Sequence, residues 1–196
     1  MYAITWKHTN ESFPQPWTLE NKIEIFYERF YGWQLNIANT MANGETNAQT
    51  GRQFESIPHS DFATLHVCFS YFEMIAKYRD GYTKPDRSKQ YFESGLLFVF
   101  REIDKWPKEI KKNALDKLYF GTRCGLYHAS MTATGIGVRR GDFVFKLQDE
   151  ILLINPGRLP VALIDHLKSY RQRLTDPNET DLRTKFEIRF NHDNGL

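Results

Sequence analysis

Cysteine is scarce in this chain: there are two, Cys68 and Cys124, far apart in sequence. That excludes a disulfide framework and points to a reduced, intracellular setting. Long apolar runs are missing as well. The longest, Gly95-Leu96-Leu97-Phe98-Val99-Phe100, is far short of a membrane span, so no membrane partner is expected. The opening residues, MYAITWKHTNESF, hold no basic region followed by an apolar stretch, so no signal peptide is expected and the location reads as cytoplasmic. Charge of either sign is not in excess. The formal net charge of +2 does not announce a nucleic-acid binder, although a local basic rim is what a phosphate feels. None of the six histidines forms an HxxxH pair and there is no CxxC, so neither a metal site nor a cofactor is expected.

What the chain does have is enough length, 196 residues, for one domain with a sizeable core, and a high aromatic content of 15%. A short alternating start, Tyr2 to Trp6, reads as an edge strand. Thr18 is a plausible N-cap, and Phe26, Phe30, Trp33 and Ile37 then recur at helical spacing to about Met41. Residues 42–53 carry no large apolar side chain and read as a polar loop. Ser60 opens a second helix with a stripe of Phe62, Leu65, Phe69, Phe72 and Ala76, ended by Gly81. A third helix spans 88–104, and a fourth runs from Pro107 to about Met131. The period then switches to two. Residues 142–154 read as a β-hairpin turning at Gln148-Asp149-Glu150, residues 160–174 as a C-terminal helix, and Phe186, Ile188 and Phe190 as a further strand. The fold expected is mainly α: a single domain over 1–196, with an up-and-down helical bundle over 18–131 and a small β-hairpin appendage.

The end of the fourth helix, GTRCGLYHAS over 121–130, is poor helix filler. On an ideal wheel Arg123 and His128 stand about 140° apart and roughly 7.5 Å along the axis. They frame a polar face holding Asn113, Cys124 and Tyr127, while Gly121 and Gly125 lie beside its His edge. An Arg and a His so placed suit RNA cleavage. RNA brings its own nucleophile in the 2′-hydroxyl, imidazole exchanges protons near neutral pH, and a guanidinium holds phosphate through paired donors. No metal is needed for that chemistry.

Arg123-x4-His128, written RCGLYH, resembles the R-x(4–6)-H motif of HEPN domains, in the RCGLLH-like form of uncharacterised bacterial members. The flanks are also similar: long helices before the motif, a β-hairpin ending in Ile154-Asn155-Pro156 and a helix after it. A second match to the loose pattern, Arg52-x6-His59, falls in a loop containing Pro58 and is set aside. The resemblance implies an α-helical, HEPN-like domain that forms a homodimer with two Arg/His motifs lining one cleft. It further implies a metal-independent endoribonuclease acting as a toxin or defence effector, with RNA or a nucleotide as ligand and an antitoxin protein as partner. Arg123 and His128 would be catalytic; Cys124, Tyr127 and Asn113 would touch substrate. Gly121 and Gly125 would form the dimer seam. Family members often carry Asn, Asp or His directly after the motif Arg, where this chain has Cys124. Some family toxins carry a modifiable Tyr two residues after the His, where this chain has Ser130.

The same residues have plainer readings. Arg123 can make a helix-end salt bridge, His128 can cap the last carbonyls, and the glycines can serve packing within the chain. A non-catalytic HEPN-like module binding a nucleotide, RNA or a protein is the alternative function. His66 and Glu73 share one face of the second helix and read as a polar pair at the core edge. Arg139-Arg140 reads as a solvated turn near the motif.

Overall fold

Thr18 and Asn21 cap the first helix reciprocally. The Thr18 hydroxyl accepts from the Asn21 N–H at 3.2 Å, and the Asn21 side chain accepts from the Thr18 N–H at 3.1 Å. From this cap the computed structural model, which describes residues 1–46 and 50–196, builds a continuous rod of α1 (Leu19–Phe30), a π-helical stretch (Tyr31–Leu35) and α2 (Asn36–Asn43). Gly44, at φ 71°, closes it.

Then come α3 (Asp61–Asp80), α4 (Ser88–Val99), the short α5 (Arg101–Asp104) and a second rod. That rod is α6 (Lys108–Asp116), a π-helical stretch (Lys117–Cys124) and α7 (Gly125–Ala129). Two more helices, α8 (Arg158–Thr175) and α9 (Thr180–Asn194), complete a mainly helical chain. Helix α3 sits at the centre. Its residues Leu65, Cys68, Phe69, Tyr71, Phe72 and Ile75 are all buried, and α2, α4, α8 and α9 pack around it. Among the described residues no helix is long and apolar enough to cross a membrane.

The expected β-hairpin exists as β4 (Phe145–Gln148) and β5 (Ile151–Ile154). Asp149 and Glu150 join them, both at positive φ as a two-residue turn requires. It is not an isolated appendage. Strand β3 (Ile136–Val138) runs parallel to β5, giving a three-stranded sheet in the order β3-β5-β4. Leu152 and Ile154 seat that sheet on the core.

The polar loop over 42–53 includes residues 47–49, which lie outside the described residues. Its flanks pair as β1 (Glu45–Thr46) and β2 (Gln53–Phe54). The edge strand expected at Tyr2–Trp6 is reduced to a single bridge between Ala3 and Thr9.

The strand expected around 186–190 is instead helix α9. Phe186 and Phe190 satisfy period two and period four alike, and Ile188, which fits period two alone, decides between them. Leu182, Phe186 and Phe190, four apart, are all buried, while Ile188 is 50% exposed. Ile188→Asn is therefore expected to change stability by no more than about 0.5 kcal/mol. Urea unfolding of the two proteins measures this, and a loss of core size would return the segment to a strand.

Candidate functional site

Helix α3 carries His66, Ser70, Glu73 and Lys77 at spacings of four, three and four, which is one helical stripe. This stripe floors a cleft of about 300 Å³. Arg123, Leu126 and Tyr127 form one wall; Tyr78 with Arg189 and Asp193 of α9 forms the other. Three cations face two carboxylates there, so the cleft leans positive although the chain as a whole is nearly neutral.

Glu73 is the hub. It accepts from Lys77 Nζ at 2.6 Å, from Ser88 Oγ at 2.5 Å and from Arg123 Nη2 at 3.3 Å. Burial alone would raise its carboxyl pKa. The bonds from Lys77 and Ser88, with the charges of Lys77 and Arg123, hold it below the ordinary value. Arg123 is thus fixed from one side by a carboxylate. Tyr119 and Tyr127 fix it from others, their ring centroids at 5.8 and 5.7 Å from the guanidinium carbon. Its side chain remains 30% exposed.

Tyr127 is 66% exposed and lies nearly parallel to His66, with centroids 6.0 Å apart and planes at 21°. On the far wall Arg189 holds Asp193 at 2.6 Å and donates to the Tyr82 carbonyl at 2.6 Å. Burial first, then the Asp193 carboxylate, push the Tyr78 phenol pKa up, so Tyr78 stays neutral.

Glu73→Gln keeps the shape and removes the charge. Because the Glu73 pKa is lowered in the folded state, its contribution is full above the ordinary carboxylate pKa, about 4.3, and fades as pH falls through the folded value. The variant is expected to be about 1 kcal/mol less stable at pH 7, a figure reduced for partial exposure. Its melting curve should converge on that of the wild type once the pH has fallen below the lowered folded-state value. A pH-independent gap would mean that shape, not charge, makes the contribution.

Of the residues singled out in the sequence, the structure brings Arg123 and Tyr127 to the cleft and places His128 outside its walls. His128 is exposed at the end of α7, and it meets the Tyr127 ring edge-on at 5.1 Å. Among the described residues it caps no carbonyl. Asn113 is exposed on α6, ten residues and about 15 Å of helix before Arg123, too far to share a ligand group. Cys124 is half-buried and lies off the cleft. Arg140 is tied down, donating to the Ala42 carbonyl and pairing with Asp61.

The dimer seam expected at Gly121 and Gly125 is occupied by the chain itself. Ser130, at φ 54°, turns the backbone sharply after α7, and the Ala133 N–H bonds back to the Gly121 carbonyl at 2.8 Å. A Cβ at Gly121 would lie 2.4 Å from the Ile136 side chain, and one at Gly125 would lie 2.6 Å from the Met131 carbonyl oxygen. The two glycines form the groove along which residues 131–136 return to start β3.

Sequence reasoning passed over Lys77, Arg189 and Asp193, the last two because their segment reads as a strand. It saw the shared face of His66 and Glu73 without the arginine that crosses it. It also missed the π-helical stretch ending at Cys124, which widens the helix just where Arg123 projects; such distortions are frequent at functional sites. No family model, curated protein or solved structure matches the chain.

Proposed function

We propose that the protein is an endoribonuclease of HEPN type that needs no metal, with Arg123 gripping the scissile phosphate and His128 transferring protons. The observation that carries this reading is the placement of Arg123. It is held on a cleft wall by Glu73, Tyr119 and Tyr127 yet is partly open to solvent, and the exposed His128 follows within one and a half turns. A preset guanidinium offers paired donors to a phosphate without reorganising first.

In the reaction a base removes the 2′-hydroxyl proton and that oxygen bonds to phosphorus. The P–O5′ bond breaks, and an acid supplies a proton to the departing 5′-oxygen. One imidazole cannot do both at once from one face of the phosphate. A second copy's His128 is the natural complement, so the reading includes a homodimer. With the glycine groove filled from within, the exposed face carrying Phe120 and Tyr127 is where two copies would meet.

The test is incubation of mixed-sequence RNA with the protein in EDTA, followed by end-group analysis. The expected products carry a 2′,3′-cyclic phosphate and a 5′-hydroxyl, and a 2′-deoxy substitution at the cut site blocks cleavage. Intact RNA after incubation with folded protein would overturn the catalytic reading.

The second reading is a non-catalytic RNA- or nucleotide-binding module. It is favoured by the Tyr127 ring, an exposed aromatic backed by His66 and Arg123 and suited to a stacked base. Base-dependent quenching of tyrosine fluorescence by nucleotides, without cleavage, would establish it.

A further inference from the structure

A second cavity shares no residue with the Arg123 cleft. It has a volume of about 310 Å³ and lies between the end of α4, the start of α5 and one face of α8. Phe98 and Val99 give it an apolar side, and the rest of its wall is rich in hydrogen-bond donors.

Arg101 is exposed and makes no ion pair or hydrogen bond among the described residues. Ser169 adds a hydroxyl. Arg173 spends its Nε and one terminal nitrogen on Glu179, at 2.7 and 3.0 Å, and keeps the other terminal nitrogen free. His166 holds the Tyr71 hydroxyl at 2.9 Å through Nδ1. That phenol is fully buried and has no other partner among the described residues, so it donates to Nδ1 and the ring proton sits on Nε2, a further donor. Against all these donors the cavity wall carries one carboxylate, Glu102.

Tyr170 closes the cavity from beneath: its side chain is 1% exposed, and its hydroxyl is sealed below the wall with no hydrogen-bond partner among the described residues.

We infer that this cavity binds a phosphate group, free or as the monoester of a small metabolite, between Arg101, Arg173 and Ser169. Phosphate rather than carboxylate fits because the donors come from two elements, α5 and α8, and surround the space instead of presenting one planar fork. The apolar side formed by Phe98 and Val99 leaves room for the rest of a monoester.

His166 is a built-in reporter of occupancy. Burial first, then the charges of Arg101 and Arg173, lower its pKa to about 4. An anion placed among these groups reverses the electrostatic part and raises the His166 pKa. The other titratable groups around the ring are Glu102 on α5, Tyr71 on α3 and Tyr170 on α8. Tyr71 and Tyr170 both stay neutral phenols, their pKa values pushed up by burial.

The experiment follows the His166 imidazole by NMR in the full chain during titration with inorganic phosphate, with sodium chloride at matched ionic strength as control. Saturable shifts with half-saturation at or below about 1 mM are expected, together with a rise in the His166 pKa. Arg101→Ala should weaken the phosphate response at least about tenfold, and its exposed position leaves folding untouched.

Glycerol 3-phosphate forms the second arm: tighter binding than inorganic phosphate assigns the site to monoesters, and equal binding assigns it to the free ion. Shifts that are linear in phosphate, matched by chloride or unchanged in Arg101→Ala would overturn the inference.

Discussion

His128→Ala is expected to lower RNA cleavage about 10²- to 10⁴-fold, the range for losing a placed general acid or base. Arg123→Ala should cost about 10²- to 10³-fold, as the loss of a donor at a developing anion does. The two should differ in which kinetic constant moves. On the proposed reading Arg123 meets the phosphate before and during reaction, so KM should rise as kcat falls. His128 would act on protons in transit, so KM should stay near wild type. Arg123→Lys should recover little activity. Glu73, Tyr119 and Tyr127 are arranged around a planar guanidinium, at 3.3, 5.8 and 5.7 Å, and an ammonium offers neither the fork nor the stacking plane. The double variant should be scarcely worse than the weaker single one, because the two groups act on one transition state. Single-turnover assays in EDTA measure the wild type and all four variants, with circular dichroism confirming the fold. Wild-type rates in His128→Ala would remove proton transfer from that residue. Equal cleavage by every variant would trace the activity to a contaminant.

How far the residue pattern carries can be seen by comparing α9 with α3. The first rod, α3, α8 and the β4–β5 hairpin are all legible as elements, although Trp33, Ile37 and Phe62, part of the expected helical patterns, are exposed. Segment 180–194 is not, because Phe186 and Phe190 satisfy two periods and only the exposure of Ile188 separates them. Strand β3 is three residues long, preceded by Gly135 and centred on Gly137, too short for any periodicity to register. At the site, Arg123 and Tyr127 stand out as poor helix filler, and His66 and Glu73 as polar residues on one face. Their meeting is a tertiary contact between residues fifty apart, set by how α7 lies across α3, and local pattern carries no information about that crossing. The glycines mislead for the same reason. A four-residue spacing says that a backbone comes close, and the chain's own return through 131–136 is as good a backbone as a second copy's.

The crossing of α3 and α4 supports the other prediction of large effect. Gly95→Ala is expected to destabilise the protein, although alanine is the better helix former by about 1 kcal/mol. A Cβ at residue 95 would lie 1.8 Å from the Phe72 carbonyl oxygen and 2.7 Å from its carbonyl carbon. Both are backbone atoms of the central helix, so no rotamer change can relieve the clash and the two helices must separate. Separation opens the aromatic cluster between them, where Phe92 meets Phe72 edge-on at 5.5 Å and stacks on Phe69 at 5.8 Å. Overpacking of this kind costs about 1–3 kcal/mol or more, so the net loss should be about 2 kcal/mol, or about 4–8 °C in Tm. Gly95→Leu should leave no cooperative transition. The consequence reaches the cleft, because Ser88 at the start of α4 is one of the three donors that hold Glu73. Moving α4 loosens that bond and with it the setting of Arg123, so Gly95→Ala should weaken RNA cleavage below its new Tm as well as lowering the Tm. A thermal melt decides the first part. A rise in Tm would mean that the helices have slack at this contact.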